Sequence, residues 1–239
     1  SLVTVGLSVV TIVGSSALGW LLYRRMAPQK RAVFQYGIAN SNALFIGLPI
    51  IQSLLGDAGV LQLSMYMIFV RMFCWSYGLS LYTGVKSDWK GSFKRLLTHP
   101  CMIAAALGVA AMVTGIRLPA FLDRTLQYVS SCLMALSMLL IGVVLSEIKL
   151  KEVFRGDVWR FTALRLGVMP GIVFGLCKLC GVPYIVTATC TLVSGMPAAS
   201  LTAVLAARYH GDSELGALLV AVSTILSAVT IPLWFMILQ

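Results

Sequence analysis

The sequence predicts an all-α polytopic membrane protein, built as inverted repeats of helices around two broken helices that cross. Three observations lead to this prediction: long apolar stretches, basic residues concentrated in alternate links, and a Gly-x-Pro pattern inside two of the stretches. The chain has 239 residues, of which 59% are hydrophobic and 11% are charged. A soluble domain of this length could not bury so much apolar surface. The chain is therefore expected to lie in a membrane.

Eight apolar stretches are long enough to cross about 30 Å of hydrocarbon, which takes roughly 18 residues. In chain order they are A (Leu2–Leu22), B (Ala32–Leu55), C (Ala58–Thr83), D (Pro100–Ile116), E (Leu126–Ser146), F (Val158–Cys180), G (Tyr184–Tyr209) and H (Leu215–Leu238). The links between them are short. We therefore interpret residues 1–239 as one polytopic transmembrane domain.

The basic residues lie mainly on one predicted face. Thirteen of the 18 occupy alternate links: Arg24, Arg25, Lys30, Arg31, Lys86, Lys90, Lys94, Arg95, Lys149, Lys151, Arg155, Arg160 and Arg208. The positive-inside rule makes this face cytoplasmic and puts Ser1 and Gln239 outside. The charge of +10 then reflects topology and contact with membrane lipid, with no nucleic-acid partner. We expect a multi-pass protein of a bacterial inner membrane.

Pro49 and Pro197 each follow a glycine by two positions, in Gly47-Leu48-Pro49 and Gly195-Met196-Pro197. Proline removes a backbone hydrogen bond and clashes with the preceding turn. Non-helical backbone at membrane depth is tolerated only when it is buried in protein or lines a cavity. Two interrupted helices at corresponding places in two halves mark the binding site of a secondary transporter. We predict that B and G are interrupted within a few residues of these prolines and cross near the bilayer midplane.

The order of the stretches indicates an inverted repeat. B is the middle of the triplet A–B–C and G is the middle of F–G–H, and the two triplets run in opposite directions, with D and E between them. Asp57 before C and Asp212 before H are each placed to cap the next helix. If D to H form a complete five-helix repeat, the parent protein has ten helices, with about 50–70 further residues before Ser1.

Several motifs carry a resemblance to a known family. They are Asn42–Pro49 (NALFIGLP), Gly195–Ala199 (GMPAA), Ala206–Asp212 (AARYHGD) and Val222–Pro232 (VSTILSAVTIP). Together they resemble the auxin efflux carrier family, which includes plant auxin exporters and bacterial permeases, within the bile-acid/arsenite/riboflavin transporter superfamily. The resemblance covers nearly the whole chain.

The resemblance implies ten helices in two inverted repeats, with B and G as the crossed broken helices that form the site. It also implies an elevator motion of a transport subdomain, about 1–84 and 158–239, against a scaffold, about 100–147. A homodimer through the scaffold helices is compatible with this division. Leu201 stands where many bacterial members carry Asn, so the polar contact from that half of the site is expected to be weaker, or to be supplied by Ser200 or Thr202.

The predicted substrate-binding residues surround the two breaks: Asn42, Asn40, Gly47, Pro49, Gly195, Pro197, Ser200 and Arg71. An amide both donates and accepts hydrogen bonds, which suits Asn42 and Asn40 as ligands; alternatively they satisfy carbonyls freed by the break. The half-helix N-termini favour anions. The expected cargo is therefore a small organic anion, such as a carboxylate.

Arg71 lies near the centre of stretch C, and no acidic residue lies deep in any stretch to pair with it. A charge at this depth indicates a functional site. It could complement a bound carboxylate, or it could donate to the carbonyl ends at the break in B. Arg165, about two turns into F, is expected to extend its charge to the cytoplasmic face.

The remaining residues limit the function classes. The acidic residues and both histidines lie in links or at helix ends, so an intramembrane enzyme, a metal site and a cofactor are not expected. Cys177 and Cys180 are interpreted as packing residues. The alternatives to an anion permease are a sodium-coupled symporter of the bile-acid type, using Ser and Thr hydroxyls as ligands, and a non-transporting sensor on the same fold.

Overall fold

The structure, a computed structural model, describes residues 2–84, 118–146 and 153–239, together with isolated positions between 103 and 115. The predicted all-α polytopic membrane fold is confirmed. Most of stretch D and the basic links at 85–102 and 147–152 lie outside the described residues.

We number the α-helices of the described residues in chain order. They are α1 (Leu2–Tyr23), α2 (Pro28–Ala39), α3 (Leu48–Phe73), α4 (Leu79–Thr83), α5 (Ala120–Ser146), α6 (Gly156–Ala163), α7 (Met169–Leu179), α8 (Tyr184–Ser194), α9 (Leu201–Arg208) and α10 (Ser213–Leu238). Turns of π-helix cover Ala43–Gly47, Cys74–Gly78 and Leu164–Val168. Stretches A, C, E, F and H are thus helical, and B and G are each divided into two half-helices.

Several of these helices are suited to a bilayer. Among the described residues, four helical segments are long and apolar enough to cross a membrane: Leu2–Tyr23, Ala43–Phe73, which a turn at Gly56 divides into two parts, Gly156–Leu179 and Ser213–Leu238. The half-helices α2, α8 and α9 are shorter because their stretches are interrupted. The chain is an integral membrane protein with multiple spans.

The two triplets pack on each other symmetrically. The first half of B, α2, contacts α1 of its own triplet and α10 of the other. The first half of G, α8, contacts α7 of its own triplet and α3 of the other. Each first half-helix therefore packs against one helix of its own triplet and one helix of the other.

A sharp turn at Gly56 joins the second half of B to C. Its φ of 62° and ψ of −159° are not helical, and this region of backbone conformation is accessible almost only to glycine. Beyond the turn the two segments lie close together, since a Cβ on Gly59 would come within 2.5 Å of the Leu55 Cβ. Asp57 does not cap C as predicted; its carboxylate accepts a hydrogen bond from Gln52 Nε2 at 2.9 Å. Asp212 does cap α10, accepting from Leu215 N at 2.9 Å.

Helix F bends through a π-helical turn before Pro170. Because proline has no N–H, the carbonyl of Leu166 loses its usual partner four residues later. Trp234 of α10 replaces that partner, donating from Nε1 to Leu166 O at 2.8 Å. The turn also brings Arg165 into the interior, where its side chain is 2% exposed.

Two buried apolar clusters lie on either side of the break in G. Met196 belongs to the first cluster, with Ala43, Ile51 and Val193 among its members. Ala198, two residues later, belongs to the second, which also contains a stack of Tyr23 on Phe34 with ring centroids 4.5 Å apart. Since lipid is as apolar as these side chains, close packing rather than water exclusion stabilises both clusters. The polar break is thereby enclosed by protein.

Candidate functional site

The two broken helices meet at their interruptions. Asn42 N donates to Pro197 O at 2.8 Å, and Ala199 N donates to Asn40 O at 3.1 Å. Between these bonds Ser41 and Ala198 form an isolated antiparallel bridge. The predicted crossing of B and G is therefore present, and each break satisfies backbone groups of the other.

The two breaks relate differently to their prolines. In G the helix ends at Ser194 and restarts at Leu201, so Pro197 lies inside the interruption as predicted. In B the interruption covers Asn40 to Asn42, and Pro49 lies in the first turn of α3. The prediction that B is interrupted within a few residues of Pro49 was wrong: the interruption ends at Asn42, and the π-helical turn Ala43–Gly47 runs directly into α3. Pro49 therefore lies within a continuous helical segment, just after a π-helical turn, as Pro170 does in F.

Asn42 and Ser200 stand at the N-cap positions of the two second half-helices. Neither side chain makes a capping hydrogen bond, although both residue types usually do so. Instead Asn42 Nδ2 donates to Ser200 Oγ at 3.2 Å, and both residues are buried, at 3% exposure each. No side chain therefore caps either half-helix, and in α9 the amides of Thr202 and Ala203 donate instead to the carbonyls of Ala199 and Ser200, at 2.8 and 3.2 Å.

The other polar residues around the crossover have separate partners. Asn40 is 2% exposed, and its Nδ2 donates to Tyr36 O at 3.3 Å, within its own turn. Thr202 is fully buried, and within the described residues its hydroxyl has no hydrogen-bond partner. Of the two residues expected to compensate for Leu201, Ser200 is therefore the one that contacts Asn42.

Ser223 of α10 ties the break in G to helix H. Its Oγ accepts a hydrogen bond from Ala198 N at 3.1 Å and donates to Leu219 O at 2.5 Å. A buried amide without a partner is costly, so this hydroxyl helps to fix the unwound backbone. The sequence offered no sign that distinguishes Ser223 from the other hydroxyls of H.

Arg165 binds the carbonyl ends of both breaks. Its Nε donates to Met196 O at 3.1 Å and its Nη1 donates to Ile38 O at 2.6 Å. The expectation that this charge extends to the cytoplasmic face was wrong, because the π-helical turn directs the side chain inward. The role considered for Arg71, donation to the carbonyl ends of B, is performed by Arg165.

Arg71 is half-buried on α3, and within the described part of the chain no hydrogen bond links it to the break. One turn later Cys74 contacts the hydroxyl of Tyr36 at 2.6 Å. Tyr36 belongs to the last turn of α2 and is fully buried. Arg71 thus lies beside the first half of B, separated from the amides of the second half.

The two glycines of the Gly-x-Pro pattern serve close packing. A Cβ on Gly47 would lie 3.5 Å from Met196 Cγ, in ordinary contact, and one on Gly195 would lie 3.3 Å from Pro170 Cβ, which is tight. Gly47 and Gly195 therefore bring the second half of B and helix F against the break in G.

A cavity of about 600 Å³ lies between the second half of B and helix H. Its lining is mostly apolar: Ile46, Ile50, Ser53, Leu54, Thr224, Ser227, Ala228, Ile231, Pro232, Phe235, Met236 and Gln239. Thr224 directly follows Ser223, and within the described residues its buried hydroxyl has no partner. Pro232 cannot donate to the carbonyl of Ala228, one turn earlier. The cavity thus has a polar group at Thr224, next in the chain to the residue that contacts the break in G, but the crossover residues themselves do not line it.

Comparison with known proteins identifies the family. The family model described as "Membrane transport protein" matches residues 1–92 and 89–235. The chain belongs to this family. An uncharacterized transporter of Methanothermobacter thermautotrophicus is 28% identical over 229 residues, covering 95% of this chain and 75% of the relative. An uncharacterized transporter of Methanocaldococcus jannaschii is 28% identical over 204 residues, covering 81% of this chain and 64% of the relative.

Membership confirms the resemblance to the auxin efflux carriers drawn from the motifs. The chain is a transporter-family protein that works in a membrane on a small-molecule substrate. This family is one of membrane transporters and not a class of enzymes. In a member of this family, the enclosed crossover, where two half-helices begin without a side-chain cap, is the candidate substrate site.

Proposed function

We propose that this protein is a secondary carrier, a permease or efflux carrier, for small organic anions that bind at the crossover. One observation carries the proposal. Asn42 and Ser200 hold N-cap positions but bond to each other, so the amides of two half-helices have no side-chain acceptor. Such amides bind anions; the start of the second half of B would supply most of them, because Thr202 N and Ala203 N of α9 already donate to backbone carbonyls.

Electrostatics favours an anion over a cation. Each helix N-terminus is equivalent to about half a positive charge, which has its greatest effect within the first turn. The chain's acidic residues lie in links or at helix ends: Asp57, Asp88, Asp123, Glu147, Glu152, Asp157, Asp212 and Glu214. Among the described residues, a cationic cargo would therefore meet no carboxylate at the crossover to offset its loss of hydration.

The cavity beside the crossover supports a site for an organic rather than an inorganic anion. Its volume of about 600 Å³ lies within the range of small-molecule sites, which are mainly apolar with a few polar groups. The charged end of the cargo would face Asn42 and the half-helix amides, and its apolar part would lie between Ile46 and Ile231. We propose Arg71, which lies beside the first half of B, as a second positive charge near the bound cargo.

We further propose an elevator cycle, in which residues 1–84 and 158–239 move against a scaffold that includes 100–147. Helix α5, the described part of that scaffold, packs against α10 and the π-helical turn Ala43–Gly47. These are the two elements that border the crossover and the cavity. Movement along this contact would carry the site from one face to the other.

The full-length protein should bind small carboxylates through Asn42. We would purify the protein, measure its melting temperature with a panel of small carboxylates and their neutral amides, and test the best carboxylate by counterflow in proteoliposomes. Asn42→Asp should lower affinity for the carboxylate by at least about tenfold, because it places a like charge at the anion site. Asn42→Ala should weaken binding less, since it removes contact without adding repulsion.

Ser64→Ala is the matched control, because Ser64 is exposed on α3 and its hydroxyl bonds only Val60 O in its own helix. It should leave binding and counterflow unchanged. Equal binding of carboxylates and amides, or full affinity in Asn42→Asp, would contradict the anion site. Binding without counterflow would favour a sensor over a carrier.

A further inference from the structure

The carbonyl ends of the two first half-helices meet at Arg165. Ile38 O comes from the last turn of α2 and Met196 O from the unwound segment after α8. Both residues are fully buried, so these carbonyls have no access to bulk water. In transporters with broken helices, such carbonyl ends are the usual ligands of a coupling Na⁺. Here a side chain of the protein occupies them.

The charges balance without an ion. Each helix C-terminus is equivalent to about half a negative charge, so the ends of α2 and α8 together offset roughly one positive charge. A guanidinium supplies that charge permanently and presents its donors in a fixed planar fork. Within the described residues Arg165 forms no ion pair with a carboxylate. Its only described acceptors are the carbonyls of the two breaks.

We propose that Arg165 is a tethered cation that takes the place of a coupling ion, so that this carrier works without Na⁺. A Na⁺ ion held between Ile38 O and Met196 O would have to displace the guanidinium, which is attached to the chain and already desolvated. The same residue acts as a positioning residue, because it holds the two C-terminal ends at a fixed separation. The inference goes beyond the proposed cargo and holds for any substrate bound at the N-terminal ends.

The direct test compares thermal unfolding of the full-length protein in NaCl and in choline chloride at equal ionic strength. The wild type should melt at the same temperature in both salts, because no site for Na⁺ is open. Saturable stabilisation of the wild type by Na⁺ over choline would overturn the proposal. This comparison of the wild type in two salts requires no variant and no knowledge of the substrate.

The second test uses Arg165→Ala. In choline its melting temperature should fall by about 5 °C or more, since two buried carbonyls lose their donors. Millimolar guanidinium chloride or NaCl should restore part of that loss, because a free cation can enter the vacated position. Failure of both ions to raise the melting temperature above that in choline would contradict the tethered-cation role.

Arg160→Ala is the matched control: Arg160 lies on the same stretch but is exposed, so its loss should cause little change and no cation response. If Arg165→Ala does not fold, Arg165→Lys retains the charge and should be stable and insensitive to Na⁺. A Na⁺ response in Arg165→Lys would overturn the proposal. None of these outcomes depends on carboxylate binding, so this inference and the anion site can fail separately.

Discussion

Single hydroxyl groups and one guanidinium hold the unwound backbone at the crossover. Ser223 accepts from the amide of Ala198, and Arg165 donates to the carbonyl of Met196. In the break of G, the N–H group of Ala198 therefore has an acceptor, and the carbonyl of Met196, two residues earlier, has a donor. Unwound backbone at this depth is stable only because protein groups replace the lost helical bonds.

Ser223→Ala should destabilise the protein by about 1–3 kcal/mol, because the buried amide of Ala198 would lose its acceptor. Ser227→Ala provides the comparison, since that hydroxyl is also buried but donates to Thr224 O within its own helix. Equilibrium unfolding in detergent would measure both. Equal losses of unfolding free energy in the two variants would indicate that the hydrogen bond to Ala198 adds no more stability than a hydroxyl bonded within its own helix.

The sequence predicted which residue types surround the site but not every contact. Asn42, Ser200 and Pro197 were placed at the breaks by the Gly-x-Pro pattern and the family motifs, and the structure brings them together. Arg165 was misassigned because an arginine two turns from a basic link looks the same whether it points outward or inward. Its direction depends on the π-helical turn and on carbonyls 31 and 127 residues away in the chain.

At the scale of elements, the helices that break and the helices that bend use proline differently. Pro197 lies inside an interruption, whereas Pro49 and Pro170 each lie two residues after a π-helical turn in a helix that continues. A pattern of glycine and proline therefore indicated the broken helices correctly, but it could not give the residue at which B breaks.

Gly56→Ala should destabilise the protein by about 1–3 kcal/mol, because alanine does not fit the backbone conformation that joins B to C. No atom lies within 4 Å of the position its Cβ would take, so the cost is conformational and not a clash. Gly6→Ala on α1 is the control, as its Cβ would also meet no atom within 4 Å and its helix should gain slightly from alanine. Unfolding of both variants in detergent gives the comparison. If Gly56→Ala were as stable as the wild type, the backbone at this turn would accommodate alanine and the prediction would be wrong.

Across the whole molecule, the inverted arrangement separates charge at the crossover. No side chain caps the N-terminal ends of the second half-helices, where Asn42 bonds to Ser200, and Arg165 donates to carbonyls at the C-terminal ends of the first half-helices. Contacts between the two triplets, α2 with α10 and α8 with α3, hold these ends in place. In the proposed function this arrangement would offer the cargo the uncapped N-terminal ends, while the carbonyl ends are already paired.

The distribution of basic residues predicts how this arrangement is oriented in the membrane. Stretch F runs from the basic link at Arg155 and Arg160 to the opposite face, where Cys180 is exposed and free. A variant that retains Cys180 alone should react with a membrane-impermeant maleimide added to intact cells, because the positive-inside rule puts that face outside. In a cysteine-free background, Arg208→Cys at the exposed end of α9 should react only after the membrane is permeabilised. The reverse labelling pattern would place the basic links outside the cell and would contradict the predicted orientation.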